Sequence, residues 1–217
     1  MRLLMRILSI FFLLLLTASS LAWYFWHRPK FNPAKNSQPF SLHKADENKA
    51  VMERLKQKAA GAIAYLRGAH FEEQYCFLLD MRIASGKKRF FVYNLEKDSI
   101  EKAGLVTHGT GSDKGDEMYF SNTPNSNCTS LGKYKVGKSY YGNFGLAYKL
   151  YGLESSNSKA FERYVVLHSH SCVPVGEVYP VGICESWGCP TVAPAFLQEL
   201  KKYIDKAEKP VLLWIYY

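Results

Sequence analysis

The chain has 217 residues, 47% hydrophobic and 15% aromatic, enough apolar side chain for one core-forming domain with an appendage and too much for a disordered polymer. Its formal charge is 28 − 19 = +9. The lysines are scattered over residues 30–150 and 201–209 without a basic stripe or recognition motif, which argues against nucleic acid as a partner and for a cationic surface with a loose attraction to anionic polymers.

Arg2 and Arg6 precede an uncharged run from Ile7 to Trp26, long enough as a helix to cross a hydrocarbon layer of about 30 Å. Residues 1–26 therefore read as a signal peptide or an N-terminal membrane anchor, and either exports the rest of the chain. Ser20-Leu21-Ala22 supplies small residues for cleavage. The run continues past them into the aromatic cluster Trp23-Tyr24-Phe25-Trp26, suited to a membrane interface, which favours an uncleaved anchor in the inner membrane. Arg28 and Lys30 come closely after it and leave the orientation open.

Residues 27–44 carry three prolines and no periodicity and read as a linker. Over residues 45–70, Val51, Leu55, Ala59, Ala62, Ile63 and Leu66 recur at helical spacing and predict an amphipathic helix packed on the domain C-terminal to it. Residues 71–217 then form that domain. Strand-like runs rich in β-branched and aromatic residues cover 75–81, 88–95, 102–109, 147–153, 163–170 and 211–217. The polar stretch 110–130 reads as loops, and 194–207 as a helix with Pro194 near its start and Phe196, Leu197, Leu200, Tyr203 and Ile204 on one side. The fold class is mainly β, with a preceding helix and a C-terminal helix–strand unit.

The densest chemistry lies in HSHSCVPVGEVYPVGICESWGCP, residues 168–190. Gly188 lets the backbone turn sharply, and Pro190 pushes Cys189 toward an extended conformation, so the two present the Cys189 thiol at a loop tip. A thiol attacks as thiolate and needs a base. His168 ends an apolar strand-like run, and His170 has the same parity and is a rival base; spacing does not choose between them. A backbone carbonyl, that of Ser169 for instance, could orient the imidazole, and the amides at Trp187, Gly188 or Cys189 could form an oxyanion hole.

Two other readings use the same residues. His168, His170 and two of Cys172, Cys184 and Cys189 could hold zinc, but no C-x-x-C pair accompanies them. Alternatively, Cys172 and Cys184 could close a disulfide that braces the loop. Cys76 and Cys128 bring the cysteines to five, an odd number that leaves at least one thiol unpaired. Tyr140, Tyr141 and Phe144 in the glycine-rich YYGNFG read as turn packing rather than a glycan groove, Trp187 as groove wall or core plug, and Asp80 and Asp116 are assigned no chemistry.

Several separated motifs carry a resemblance. SGKKRFFVYNL (85–95), THGTGS (107–112), FSNTPNSNCTSLGKY (120–134), YYGNFGLAYKLYGLE (140–154), RYVVLHSH (163–170) and ESWGCP (185–190) occur in the order seen in the YkuD-like L,D-transpeptidase catalytic domain, in its S-W-G-C-P branch. The resemblance implies a β-sandwich or barrel built around a cysteine nucleophile. It also implies action on the L-to-D bond of a peptidoglycan tetrapeptide stem, through a thioester that an amine of another stem resolves into a 3-3 cross-link. By the same resemblance Cys189 is the nucleophile, His168 the base, and Ser186 and Gly188 shape the oxyanion loop. His108 and Gly109 match an upstream H-G pair expected to line the substrate pocket, with Trp187, Ser169 and His170, although a structural role for His108 is an equal alternative. No cofactor is implied; the expected partners are peptidoglycan stem peptides, and the oligomeric state is left open. Cys184 and Glu185 stand where that branch often has Gly-Arg, and HSH stands where HGA is common. Three functions compete: transfer, hydrolysis of the same bond as an L,D-carboxypeptidase or endopeptidase, and an idle wall-binding module.

Overall fold

The computed structural model describes residues 5–6, 15–17, 19–23, 40–115 and 117–217, with side chains in the first long helix from residue 46 onward. Most of the proposed signal or anchor segment, most of the linker, and Asp116 lie outside these residues. Among the described residues no helix is long and apolar enough to cross a membrane. The chain divides into Met1–Asn48 and Lys49–Tyr217, and the sheet belongs entirely to the second unit.

Helix α1 spans Phe40–Leu66, beginning directly after Pro39 and so before residue 45, where periodicity alone places its start. Strands β1 (Tyr75–Asp80), β2 (Phe90–Asn94), β3 (Ser99–Gly104), β4 (Gly132–Gly142), β5 (Gly145–Gly152), β6 (Val166–Ser169) and β7 (Thr191–Val192) come next, then helix α2 (Pro194–Lys206) and β8 (Leu212–Tyr216). The strands form one eight-stranded sheet in the order β3-β2-β1-β8-β4-β5-β6-β7. β1 lies parallel to β8, with Cys76 opposite Leu212, and β6 lies parallel to β7, with His168 opposite Thr191.

Alternation along the central strands divides the core. Phe77 and Leu79 of β1 join Leu213 and Ile215 of β8 on the face covered by Phe196, Leu197 and Leu200 of α2. Cys76 and Leu78 join Leu212 and Tyr216 on the other face, under Leu55, Ala59, Ala62 and Leu66 of α1. With helices on both faces, β1 is apolar at nearly every position, as a doubly covered strand must be. Ile63, assigned to the packed side of α1 from spacing, is exposed, because the adjacent Ala62 and Leu66 already fill the contact. Each fully buried leucine contributes about 1.5–3 kcal/mol, so Leu55→Ala would loosen α1 from the sheet.

Two departures from the sequence-based strands bear on the site. β4 is absent from the expected set, and it pairs with β5 through a two-residue turn at Asn143-Phe144, with Gly142 opposite Gly145. The expected strand 102–109 stops at Gly104; its remainder runs on as loop, with single bridges joining Val106 to Val192 and Gly109 to Ser186. That loop is how the upstream His-Gly pair reaches the cysteine.

Candidate active site

Cys189 lies between Gly188 and Pro190 at the end of the loop leading into β7. Gly188 has φ +106°, a conformation that L side chains rarely adopt, and a Cβ there would stand 2.6 Å from the Cys128 carbonyl oxygen. Gly109 packs on the same spot: a Cβ on it would strike the Asn127 carbonyl and lie 2.9 Å from the Gly188 Cα. Gly109 therefore serves close backbone approach, and it is not among the residues that line the cavity beside Cys189.

Hydroxyls fix the cysteine's own backbone. The Cys189 carbonyl accepts from Ser186 Oγ at 2.7 Å and from Thr107 Oγ1 at 3.1 Å, while Thr107 Oγ1 accepts from the Thr191 amide at 3.1 Å. Ser186 Oγ also accepts from the Gly188 amide at 3.1 Å, which occupies one of the three amides considered for an oxyanion hole. The amides of Trp187 and Cys189 make no hydrogen bond among the described residues. Arg163 braces the loop from behind, its guanidinium donating to the carbonyls of Ser121 at 3.0 Å and Cys128 at 2.6 Å and to Ser130 Oγ at 3.2 Å.

His168 is buried on β6. Its Nδ1–H donates to the Ser169 carbonyl at 3.2 Å, which leaves Nε2 as the acceptor, and Thr191 Oγ1 donates to it at 2.9 Å. Phe144, from the β4–β5 turn, stacks on the ring with centroids 4.5 Å apart. His170 is exposed, its Nδ1 accepting from the Cys172 amide at 3.1 Å. The two histidines, Cys189, Phe144, Glu185 and Trp187 share a cavity of about 290 Å³. Trp187 is 80% exposed there, so it is wall and not core plug. The Cys189 thiol points to the Tyr164 carbonyl, 3.7 Å away, and is not hydrogen-bonded to His168.

Burial sets the resting protonation. It pushes the Cys189 thiol up, against the Val166 backbone and the charge of Arg163, and it pushes His168 down, against the Ser169 carbonyl. Both groups are neutral at rest, so the arrangement suits proton transfer during attack rather than a standing thiolate–imidazolium pair.

Cys172 and Cys184 are joined by a disulfide, and Cys76, Cys128 and Cys189 are free. The disulfide withdraws two of the sulfurs that the zinc reading requires. His108 is not a wall of the cavity: it lies buried behind Thr107, with Nδ1 accepting from the buried guanidinium of Arg89 at 2.9 Å. Asp80, assigned no chemistry, is buried and paired with Arg54 at 2.8 Å.

A sequence profile of the L,D-transpeptidase catalytic domain matches residues 47–216. The chain belongs to this L,D-transpeptidase family. No curated protein matches it significantly. Solved structures similar to it include an avibactam carbamoyl enzyme of Ldtfm (11% identity, 67% of this chain and 50% of that chain, TM-score 0.42). They also include the helical cell shape determining protein Pgp2 from Campylobacter jejuni (13%, 65% and 46%, TM-score 0.42). A third is residues 123–326 of an L,D-transpeptidase from Xylanimonas cellulosilytica (15%, 75% and 77%, TM-score 0.37). The chain spans about half the length of the first two. These likenesses are distant, and membership rests on the profile match.

Within this L,D-transpeptidase domain, sequence reasoning misses Thr191 and Arg163, and it reads Phe144 as turn packing where the side chain lines the cavity and stacks on His168. Arg163 is the one with a signal, as a cation directly before an apolar strand.

Proposed function

We propose that the protein is an exported cysteine-dependent L,D-transpeptidase acting on peptidoglycan tetrapeptide stems. The observation that carries this reading is the shared cavity, in which the Cys189 thiol and a buried, neutral His168 with an accepting Nε2 face the same space. The thiol swings from the Tyr164 carbonyl toward His168. Thr191 Oγ1 has a second acceptor in the Cys189 carbonyl at 3.4 Å, and turning to it frees Nε2.

His168 Nε2 takes the thiol proton as sulfur attacks the carbonyl carbon of the stem's penultimate residue. The developing oxyanion is stabilised by the amides of Trp187 and Cys189. The tetrahedral intermediate collapses, the C–N bond breaks, and His168 returns the proton to the departing D-alanine amine. An amine of a second stem then attacks the thioester and gives up a proton to His168. The thiol leaves reprotonated, and a 3-3 cross-link has formed. His170, exposed and outside this chain of hydrogen bonds, lines the substrate groove with Trp187. Residues 1–26 export the domain to the cell envelope as a cleaved signal or an inner-membrane anchor.

The test is incubation of the protein with tetrapeptide-stem muropeptides, and then mass analysis of the products. Cross-linked dimers are expected. Loss of alanine alone assigns a carboxypeptidase, and no change in the wild-type protein relative to Cys189→Ser assigns an idle module.

A further inference from the structure

Beside the cysteine lies a cluster that this mechanism does not use. Ligand atoms of His108, Asp113 and Glu185 all fall within 4.8 Å of one another. Glu185 also lines the Cys189 cavity, so the cluster meets that groove through this one carboxylate. In a chain of net charge +9, these carboxylates have no ion pair with a lysine or arginine among the described residues.

His108 makes this more than two acids side by side. The residue is 5% exposed, and its Nε2 is buried without a hydrogen-bond partner among the described residues. A guanidinium can only donate, so Arg89 fixes Nδ1 as an acceptor and the ring's proton on Nε2. That N–H is aimed at Glu185 Oε1, 3.5 Å away, and Asp113 Oδ2, 4.0 Å away, both beyond a good bond. A metal does not fit, since Nε2 would have to present a lone pair while Arg89 holds the proton there. A cation with its own hydrogens does fit. Between the carboxylates it cancels their repulsion and draws Glu185 inward, and the His108 N–H gains its acceptor.

We infer that Glu185 and Asp113 form a subsite for a primary ammonium group carried by the stem peptide next to the bond that Cys189 attacks. An ammonium suits the compact cluster because its three hydrogens diverge, whereas a guanidinium needs a flat fork. This inference rests on the proposed transpeptidase reading and adds a requirement to it: the stem must bear a free side-chain amine.

The test uses the full chain carrying Cys189→Ala, which binds without reacting, and two synthetic tetrapeptide stems, one with a free side-chain amine and one N-acetylated there. Calorimetry should show the free amine binding at least tenfold more tightly. Glu185→Gln combined with Asp113→Asn should erase that preference, and a cooperative thermal melt like that of the Cys189→Ala parent shows that the variant is folded. Equal binding of the two stems, a preference that survives the double variant, or no binding of either stem at millimolar concentration overturns the subsite. So does Zn²⁺ binding that the double variant abolishes. Acylation of the wild-type chain is read separately by intact mass. No thioester alongside an intact amine preference would sink the transpeptidase reading and leave the subsite standing.

Discussion

Thr191 donates its hydroxyl to His168 Nε2 across neighbouring parallel strands, at 2.9 Å, and lies 3.4 Å from the Cys189 carbonyl. One hydroxyl thus touches both the proposed base and the backbone of the proposed nucleophile. Thr191→Val keeps the shape and the amide bond to Thr107 but removes that proton. Because proton transfer requires Nε2 to give up that bond, steady-state assays on tetrapeptide stems should show kcat unchanged or raised by no more than about tenfold, with KM little changed.

The neutral resting pair sets the pH profile. Burial lowers His168, with His170 adding to the effect, so the base stays unprotonated below the ordinary imidazole value of about 6.5. The acid limb of kcat/KM should therefore lie below pH 6.5. Because burial raises the Cys189 thiol, its alkylation by iodoacetamide in the free enzyme should be slow at pH 7 and increase well into the alkaline range.

His108 predicts a second pH effect, on stability. Burial first and Arg89 second hold its folded value down at about 4, against Asp113, while Glu185 faces its Nε2. Between pH 6.5 and 4 the unfolded ring binds a proton that the folded ring does not, so stability decreases as pH falls through that window. The loss should reach about 3 kcal/mol by pH 4, where the folded ring is itself half protonated. His108→Gln, which can still accept from Arg89 and still donate, should flatten this part of the melting temperature against pH.

Gly188→Ala tests the loop. The positive φ and the 2.6 Å approach to the Cys128 carbonyl force the backbone to shift, and a displacement near 1 Å costs about 100-fold in rate. Acylation should decrease by that order, while a free-thiol titration still counts Cys189.

The disulfide gives the last prediction. Cys172 and Cys184 are 12 residues apart, and closing a loop of that size stabilises by about 3 kcal/mol in the chain-entropy account. Replacing both with serine should lower the melting temperature and weaken acylation at Cys189, because Cys184 lies next to Glu185 and Ser186.

The sequence conveys some parts of this domain better than others, for physical reasons. β1, β2 and β8 are legible because doubly buried strands are continuous apolar runs. β4 is not: Gly132, Gly137 and four lysines or serines dilute its β propensity, although Gly132, Tyr134 and Val136 alternate inward with Lys133 and Lys135 outward. Helix spacing places α2 to within a residue. Around the cysteine, Gly188 and Pro190 announce an unusual backbone locally. The partners of His168 come from β7 and from the β4–β5 turn, and no spacing along the chain relates Thr191 or Phe144 to residue 168. Resemblance puts His108 in the pocket wall; the buried Arg89 that pulls it behind the wall belongs to β1–β2 chemistry that no motif marks.

The contact of Gly109 with Gly188, and of Arg163 with the Cys128 carbonyl, also bears on the order of assembly. The cysteine's loop is shaped by segments near residues 109, 128 and 163, each far from it along the chain, and distant contacts form only after the intervening chain has been closed up. The Cys172–Cys184 bond spans a short segment and does not wait for them. A refolding chain should therefore oxidise that pair early and acquire a shaped nucleophile late. Pulsed alkylation during refolding would show Cys189 reacting as an ordinary exposed thiol until the last phase.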